Sequence, residues 1–241
     1  MYKMRGLSVA LLLVTMLTVT ACSGIVTGSG DVISETRQVS NYDRIVLSGS
    51  GEVIVTQGGS ESLSIETDDN IMRYVEVEVE NGALKLGFKR GVNIMSHTRL
   101  VFYVGVDDLN SLTISGSGDI EADMLETDRL EVTINGSGDV QIDDLSASEV
   151  RAMISGSGEI DLAGNVVDQD VTISGSGKYR AGDMCSALVE VNVSGSGDAT
   201  VCAMERLDAN ISGSGSINYY GRPTINSFGG GSGDLNSLGE K

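Results

Sequence analysis

The sequence predicts an all-β chain folded as a right-handed, single-stranded parallel β-helix, a β-solenoid with rungs of about 20 residues. A recurring tetrapeptide is the first observation: Ser/Asn-Gly-Ser-Gly begins at Ser115, Asn135, Ser155, Ser174, Ser194 and Ser212, at spacings of 20, 20, 19, 20 and 18. The second is alternation around it. Leu112, Val132, Ala152, Val171, Val191 and Ala209, then Ile114, Ile134, Ile154, Ile173, Val193 and Ile211, stand two residues apart before the motif, with mostly polar residues between them. That period of two in β-branched residues marks strands with one face inward. The third is composition, with 32 Gly and one Pro in 241 residues, a glycine density that would break helices. Twenty residues at about 3.3 Å each give a rung perimeter near 66 Å, with rungs stacked about 4.8 Å apart. Strand-to-parallel-strand connections favour a right-handed coil.

Along the chain, residues 1–21 read as a secretory signal, with Lys3 and Arg5 ahead of an apolar run from Leu7 to Val19 that is too short to span a bilayer. Val19-Thr20-Ala21-Cys22 resembles the end of a bacterial lipoprotein signal. The resemblance implies that Cys22 is the lipidated first residue of an exported, envelope-anchored protein. Ser23, a residue other than Asp after the Cys, implies the outer membrane in a Gram-negative host. Residues 22–35 are expected to be a spacer behind the lipid, and 36–110 to form irregular rungs that begin the helix and cap one end. That stretch carries strand-like pieces such as Arg44–Leu47, Val53–Val55, Val75–Val79, Leu84–Leu86 and Leu100–Val104, plus a turn at Glu80-Asn81-Gly82. Residues 111–235 are expected to be the regular repeat, ending in a degenerate corner at Gly230–Gly233, and 236–241 a polar tail. After each corner stand Asp119, Asp139, Glu159, Lys178, Asp198 and Ser216, followed by Ile120, Val140, Ile160, Tyr179, Ala199 and Ile217, so a second strand starts there. The corner glycines supply positive φ and leave room for the neighbouring rung.

Charge and composition narrow the chemistry. The balance of 34 acidic against 16 basic residues, −18 overall, gives no footprint for nucleic acid. Three Cys and a single His, His97, leave no zinc-finger spacing and no Cys/His nucleophilic pair. No cofactor, catalytic residue or metal site is expected. Asp119, Asp123, Asp139 and the pair Asp143-Asp144 are the carboxylates a polysaccharide-cleaving enzyme would draw on, but outward carboxylates recur on each rung for solubility. Asp119, Asp139, Glu159 and Asp198 form a column of the hard oxygen ligands Ca²⁺ prefers, interrupted by Lys178 and Ser216. Cys185 and Cys202 fall on neighbouring rungs, three residues out of register with each other relative to their corners, so a disulfide requires a loop shift.

The opening Arg37, Val39, Tyr42, Ile45 and Ser48–Gly51, the strands at Leu84–Leu86 and Leu100–Val104, and the Ser/Asn-Gly-Ser-Gly series together resemble a bacterial family described as putative auto-transporter adhesin, head GIN domain. The resemblance runs over roughly residues 30 to 235. It implies a right-handed β-helix, secreted or lipid-anchored, with no established catalytic residues. The expected function is a non-catalytic binding or adhesion module, with an envelope scaffold and a carbohydrate-active enzyme as the alternatives. Expected partners are the membrane, through Cys22, and a glycan or protein ligand. Thr113, Thr133, Thr172, Asn192 and Asn210 form the candidate recognition column.

Overall fold

The computed structural model describes residues 25–96 and 98–241; Cys22 and His97 lie outside the described residues. In chain order the strands are β1 (Ile25–Thr27), β2 (Val32–Arg37), β3 (Arg44–Gly49), β4 (Glu52–Gln57), β5 (Ser62–Asp68), β6 (Val75–Glu80), β7 (Ala83–Phe88), β8 (Asn93–Ser96), β9 (Leu100–Val106), β10 (Ser111–Gly116), β11 (Asp119–Gly136), β12 (Asp139–Gly156), β13 (Glu159–Gly175), β14 (Lys178–Gly195), β15 (Asp198–Ile211), β16 (Ser216–Tyr220), β17 (Thr224–Phe228) and β18 (Asp234–Gly239). Parallel pairing from β10 to β15 stacks Ile114, Ile134, Ile154, Ile173, Val193 and Ile211 in one column. The chain is therefore a parallel β-solenoid with rungs of about 20 residues, as its spacing predicts.

Each rung has a wall that leads into the glycine corner and a wall that leaves it. Inward side chains of both walls fill one continuous core, in which Leu112, Ile114, Ile120, Val132, Ile134 and their counterparts are fully buried. Each buried Val, Leu or Ile among them contributes about 1.5–3 kcal/mol of burial. Within the repeat, the core departs from hydrocarbon around Tyr179, Gln169 and Ser186. Tyr179 takes the position held by Val140 and Ile160 in the rungs below, and its hydroxyl donates to Gln169 Oε1 at 3.0 Å. Gln169 Nε2 in turn donates to Ser186 Oγ at 2.7 Å and to the Met184 carbonyl at 3.0 Å, so this buried polar cluster is satisfied.

The corner explains its glycines. Ser137 N donates to the Gly116 carbonyl at 2.8 Å and Ser157 N to that of Gly136 at 2.9 Å, a ladder repeated up the stack. Those carbonyls occupy the space a side chain would need: a Cβ on Gly136 would lie 2.0 Å from the Gly116 oxygen, and, beside them, one on Gly138, whose φ is ordinary, 2.0 Å from the Gly118 oxygen.

Described residues 25–106 depart from the expected irregular rungs in both order and direction. β3 lies between β7 and β10, and β4 between β9 and β11, so the rung made of β7 and β9 sits beneath the one the chain builds first. Antiparallel pairings finish this end: β6 on β7, β5 on β9 and β2 on β5. The β6–β7 hairpin turns at Asn81 and Gly82, with φ of 52° and 80°, the two-residue turn that Asn-Gly favours. A first parallel rung would otherwise expose a whole edge of backbone groups. Glu76, Glu78 and Glu80 stud the edge strand that replaces it.

Two boundaries also move. The stretch expected as a spacer contributes β1, paired with β8, and most of β2, paired antiparallel with β5. The expected polar tail is largely β18, which stacks on β16 from Asp234 to Gly239.

Candidate functional site

The wall that leads into the corner carries three outward columns. Nearest the corner stand Ser115, Asn135, Ser155, Ser174 and Ser194, with Ser174 and Ser194 hydroxyls 3.3 Å apart. The next column is the candidate one. Thr113 pairs with Thr133, Thr133 with Met153, Met153 with Thr172, Thr172 with Asn192 and Asn192 with Asn210, so all five predicted residues share one line, broken by Met153. The line continues one rung further to Phe228, opposite Asn210. Sequence reasoning missed that residue, although it lies 18 residues beyond Asn210, matching the final corner spacing from Ser212 to Gly230. Seven positions at about 4.8 Å per rung make a face about 29 Å long.

The third column is charged: Glu131, Arg151, Asp170, Glu190 and Asp208. Arg151 Nε lies 3.1 Å from Asp170 and Arg206 Nε 3.0 Å from Asp208, so side chains of opposite sign are tied along the wall. Amides beside them are oriented too. Asn192 Nδ2 donates to Glu190 Oε1 at 3.1 Å and Asn210 Nδ2 to Asn192 Oδ1 at 3.3 Å. With strand side chains two residues apart standing on the same face, the wall is a flat grid of hydroxyl, amide and charged groups.

The acidic column after the corner has a structural task. Asp139 N donates to Asp119 Oδ1 at 3.2 Å, Glu159 N to Asp139 Oδ1 at 2.9 Å and Ser216 N to Asp198 Oδ1 at 3.0 Å. Each of these carboxylates therefore accepts from the backbone of the next rung. Burial raises the Asp119 pKa, the Asp139 N–H bond lowers it and the Asp139 charge raises it, for a net upward shift. Among the described residues no group of three or more His, Cys, Asp or Glu is placed to hold a metal ion.

Of the carboxylates an enzyme would need, the structure takes Asp123 into a groove of about 960 Å³ with Asp107, Asp108, Glu126 and Asp128. Asp119, Asp139, Asp143 and Asp144 do not line it, and neither does any Arg or Lys. Gln57 closes its floor by donating to the Asp107 and Glu126 carbonyls at 3.1 and 2.9 Å. Cys185 and Cys202 form a disulfide, with Cα atoms 4.4 Å apart. The three-residue offset is absorbed between Ala181 and Cys185, where the register of β14 on β15 slips.

Comparison with known proteins gives the site its context. A crystal structure of a putative adhesin from Bacteroides fragilis is 28% identical to this chain, with a TM-score of 0.85 over 88% of this chain and 100% of that one. A putative lipid binding protein from Parabacteroides distasonis is also 28% identical, with a TM-score of 0.76 over 89% and 100% of the two chains. A putative adhesin from Parabacteroides merdae, at 22% identity and a TM-score of 0.72 over 88% and 98%, shares the fold. No curated protein matches. The family model for the putative auto-transporter adhesin, head GIN domain, matches residues 41–223, from Asn41 just ahead of β3 to Pro223 between β16 and β17, and the chain belongs to that family.

Proposed function

We propose that this protein is a lipid-anchored, non-catalytic binding module of the bacterial envelope, held by Cys22 and presenting the Thr/Asn column to a repetitive glycan. The observation that carries this reading is the register of the column itself, unbroken in backbone from Thr113 to Phe228. A rigid surface that is periodic in its backbone complements a periodic ligand, because successive repeats of the ligand meet positions at the same spacing. Membership of an adhesin-like family and likeness to adhesin structures support the same class of activity.

Anchoring fits the geometry of the ends. Ile25, where β1 begins, follows Cys22 by three residues, a reach of at most about 11 Å. β1 pairs with β8, which joins the two strands of the lowest rung, so a lipid on Cys22 would tether the capped end. The open end, eight rungs above β7 on that wall, would stand about 38 Å farther out. Among the described residues no helix is long and apolar enough to cross a membrane.

The test is a glycan array probed with the full chain in detergent micelles, followed by product analysis of every glycan retained. Retention with no change in the glycan is expected; released products would replace this reading with an enzyme. In parallel, Cys22→Ala is expected to move the protein from the membrane fraction to the soluble exported fraction, and unchanged fractionation would refute the anchor.

A further inference from the structure

We infer that the outer end of the column, Phe228 with Asn192, Asn210, Glu190 and Asp208, is a subsite for one neutral pyranose ring of a glycan. This deepens the binding-module reading and rests on it. Phe228 projects from the last strand of the wall and is 69% exposed. The chain has three Phe and no Trp; Phe102 is fully buried and Phe88 packs against the core, so of the three phenylalanines Phe228 is the one largely given to solvent. A ring left in water forgoes the stabilisation that burial would give.

The ring closes one side of a depression of about 360 Å³, within the range of small-ligand clefts, whose other walls are Glu190, Asn192, Asp208 and Asn210. A pyranose has an apolar face of C–H groups and a rim of hydroxyls. An aromatic face, negative in its quadrupole, suits the first, and planar amides and carboxylates suit the second. Those polar groups are held in place before any ligand arrives. Asp208 accepts from Asn226 Nδ2 at 2.7 Å and pairs with Arg206, while the chain of donors from Asn210 through Asn192 to Glu190 sets the orientation of both amides. Ordering the polar rim in advance lowers the entropic cost of binding. Glu190 and Asp208 on the rim, in a chain of net charge −18, repel uronates and other acidic sugars, which makes the accepted ring a neutral one.

The experiment titrates the full chain in detergent micelles with cellohexaose, laminarihexaose, maltohexaose, mannohexaose and chitohexaose, with oligogalacturonate as the acidic probe. At least one neutral hexamer is expected to bind and oligogalacturonate is not. Phe228→Ala should weaken that binding about tenfold or more, Phe228→Tyr should hold it within about threefold, and Thr200→Ala on the opposite wall should leave it unchanged. Circular dichroism of each variant checks the fold. Equal binding by the wild type and Phe228→Ala would overturn the subsite and leave the column reading standing. Loss of self-association in Phe228→Ala, with glycan binding intact, would overturn it in favour of a contact between chains. Failure of every neutral hexamer would overturn the subsite and the glycan reading together.

Discussion

Between residues 111 and 211 each rung repeats the one beneath it, whereas between residues 25 and 106 the rung built later, β7 with β9, lies beneath the one built first, β3 with β4. Both regions carry the same corner letters, Ser-Gly-Ser-Gly at 48–51 and again from 115 upward, and yet the letters answer to different physics. A Cβ on Gly49 would meet nothing within 4 Å, because beyond Gly87 the lower rung turns away through β8 instead of continuing under the corner. Gly49 is required only by its φ of +93°. One rung higher, a Cβ on Gly116 would lie 2.2 Å from the Gly49 oxygen, and every corner above inherits that constraint from the rung below. Glycine at an isolated corner is a matter of backbone conformation; in a stack it is a matter of space.

The largest expected effect separates those two requirements. Gly138→Ala carries no φ penalty, but its methyl would lie 2.0 Å from the Gly118 carbonyl, and the neighbouring backbone cannot yield without breaking the corner ladder. A loss of more than about 3 kcal/mol is expected from the urea midpoint. Equal losses for Gly138→Ala and Gly49→Ala would break the comparison. Next comes the double change Cys185→Ala, Cys202→Ala, which opens a loop of 17 residues at the slip in β14 and should cost about 3 kcal/mol in the same assay. Reduction of the wild type should reproduce it. Gly49→Ala should cost about 1–2 kcal/mol, the cost of a left-handed conformation alone.

The smallest effect is expected in the acidic column. Because the Asp119 pKa is raised in the folded state, folding takes up a proton there; the resulting stabilisation is present below the unfolded value and lost as pH rises through the folded one. At neutral pH the carboxylate is therefore a slight burden. Asp119→Asn, whose amide oxygen can still accept from Asp139 N, should be more stable than the wild type at pH 7 by less than about 0.5 kcal/mol, with the difference shrinking toward pH 3. Paired urea titrations at the two pH values read the sign.

These contrasts also mark what the sequence makes legible. The corner spacing and the alternation at Leu112 and Ile114, and at their counterparts above, are local patterns repeated on every rung, so the solenoid and the alignment of its columns can be read from the letters. The inverted order of the first two rungs cannot, because it depends on which distant strand β3 accepts on each edge, and Leu84–Leu86 would suit a rung above as well as below. The acidic column looks the same in sequence whether it binds a cation or the next rung's N–H groups; only the turn of Asp139 Oδ1 toward Glu159 N distinguishes them. The Cys185–Cys202 pair is legible as neighbours, but whether it bridges depends on three residues that bulge out of register; Phe228 is obscured by the degenerate corner that follows it.

If the Thr/Asn column recognises a repeating ligand, affinity must grow with the number of repeats until the face is covered. Binding of the full chain, in micelles, to a length series of the best neutral oligosaccharide should therefore strengthen stepwise up to an extended length of about 29 Å and then level off. A monosaccharide that binds as tightly as the longest oligomer, or a series in which no length binds, would contradict recognition by a repeating face.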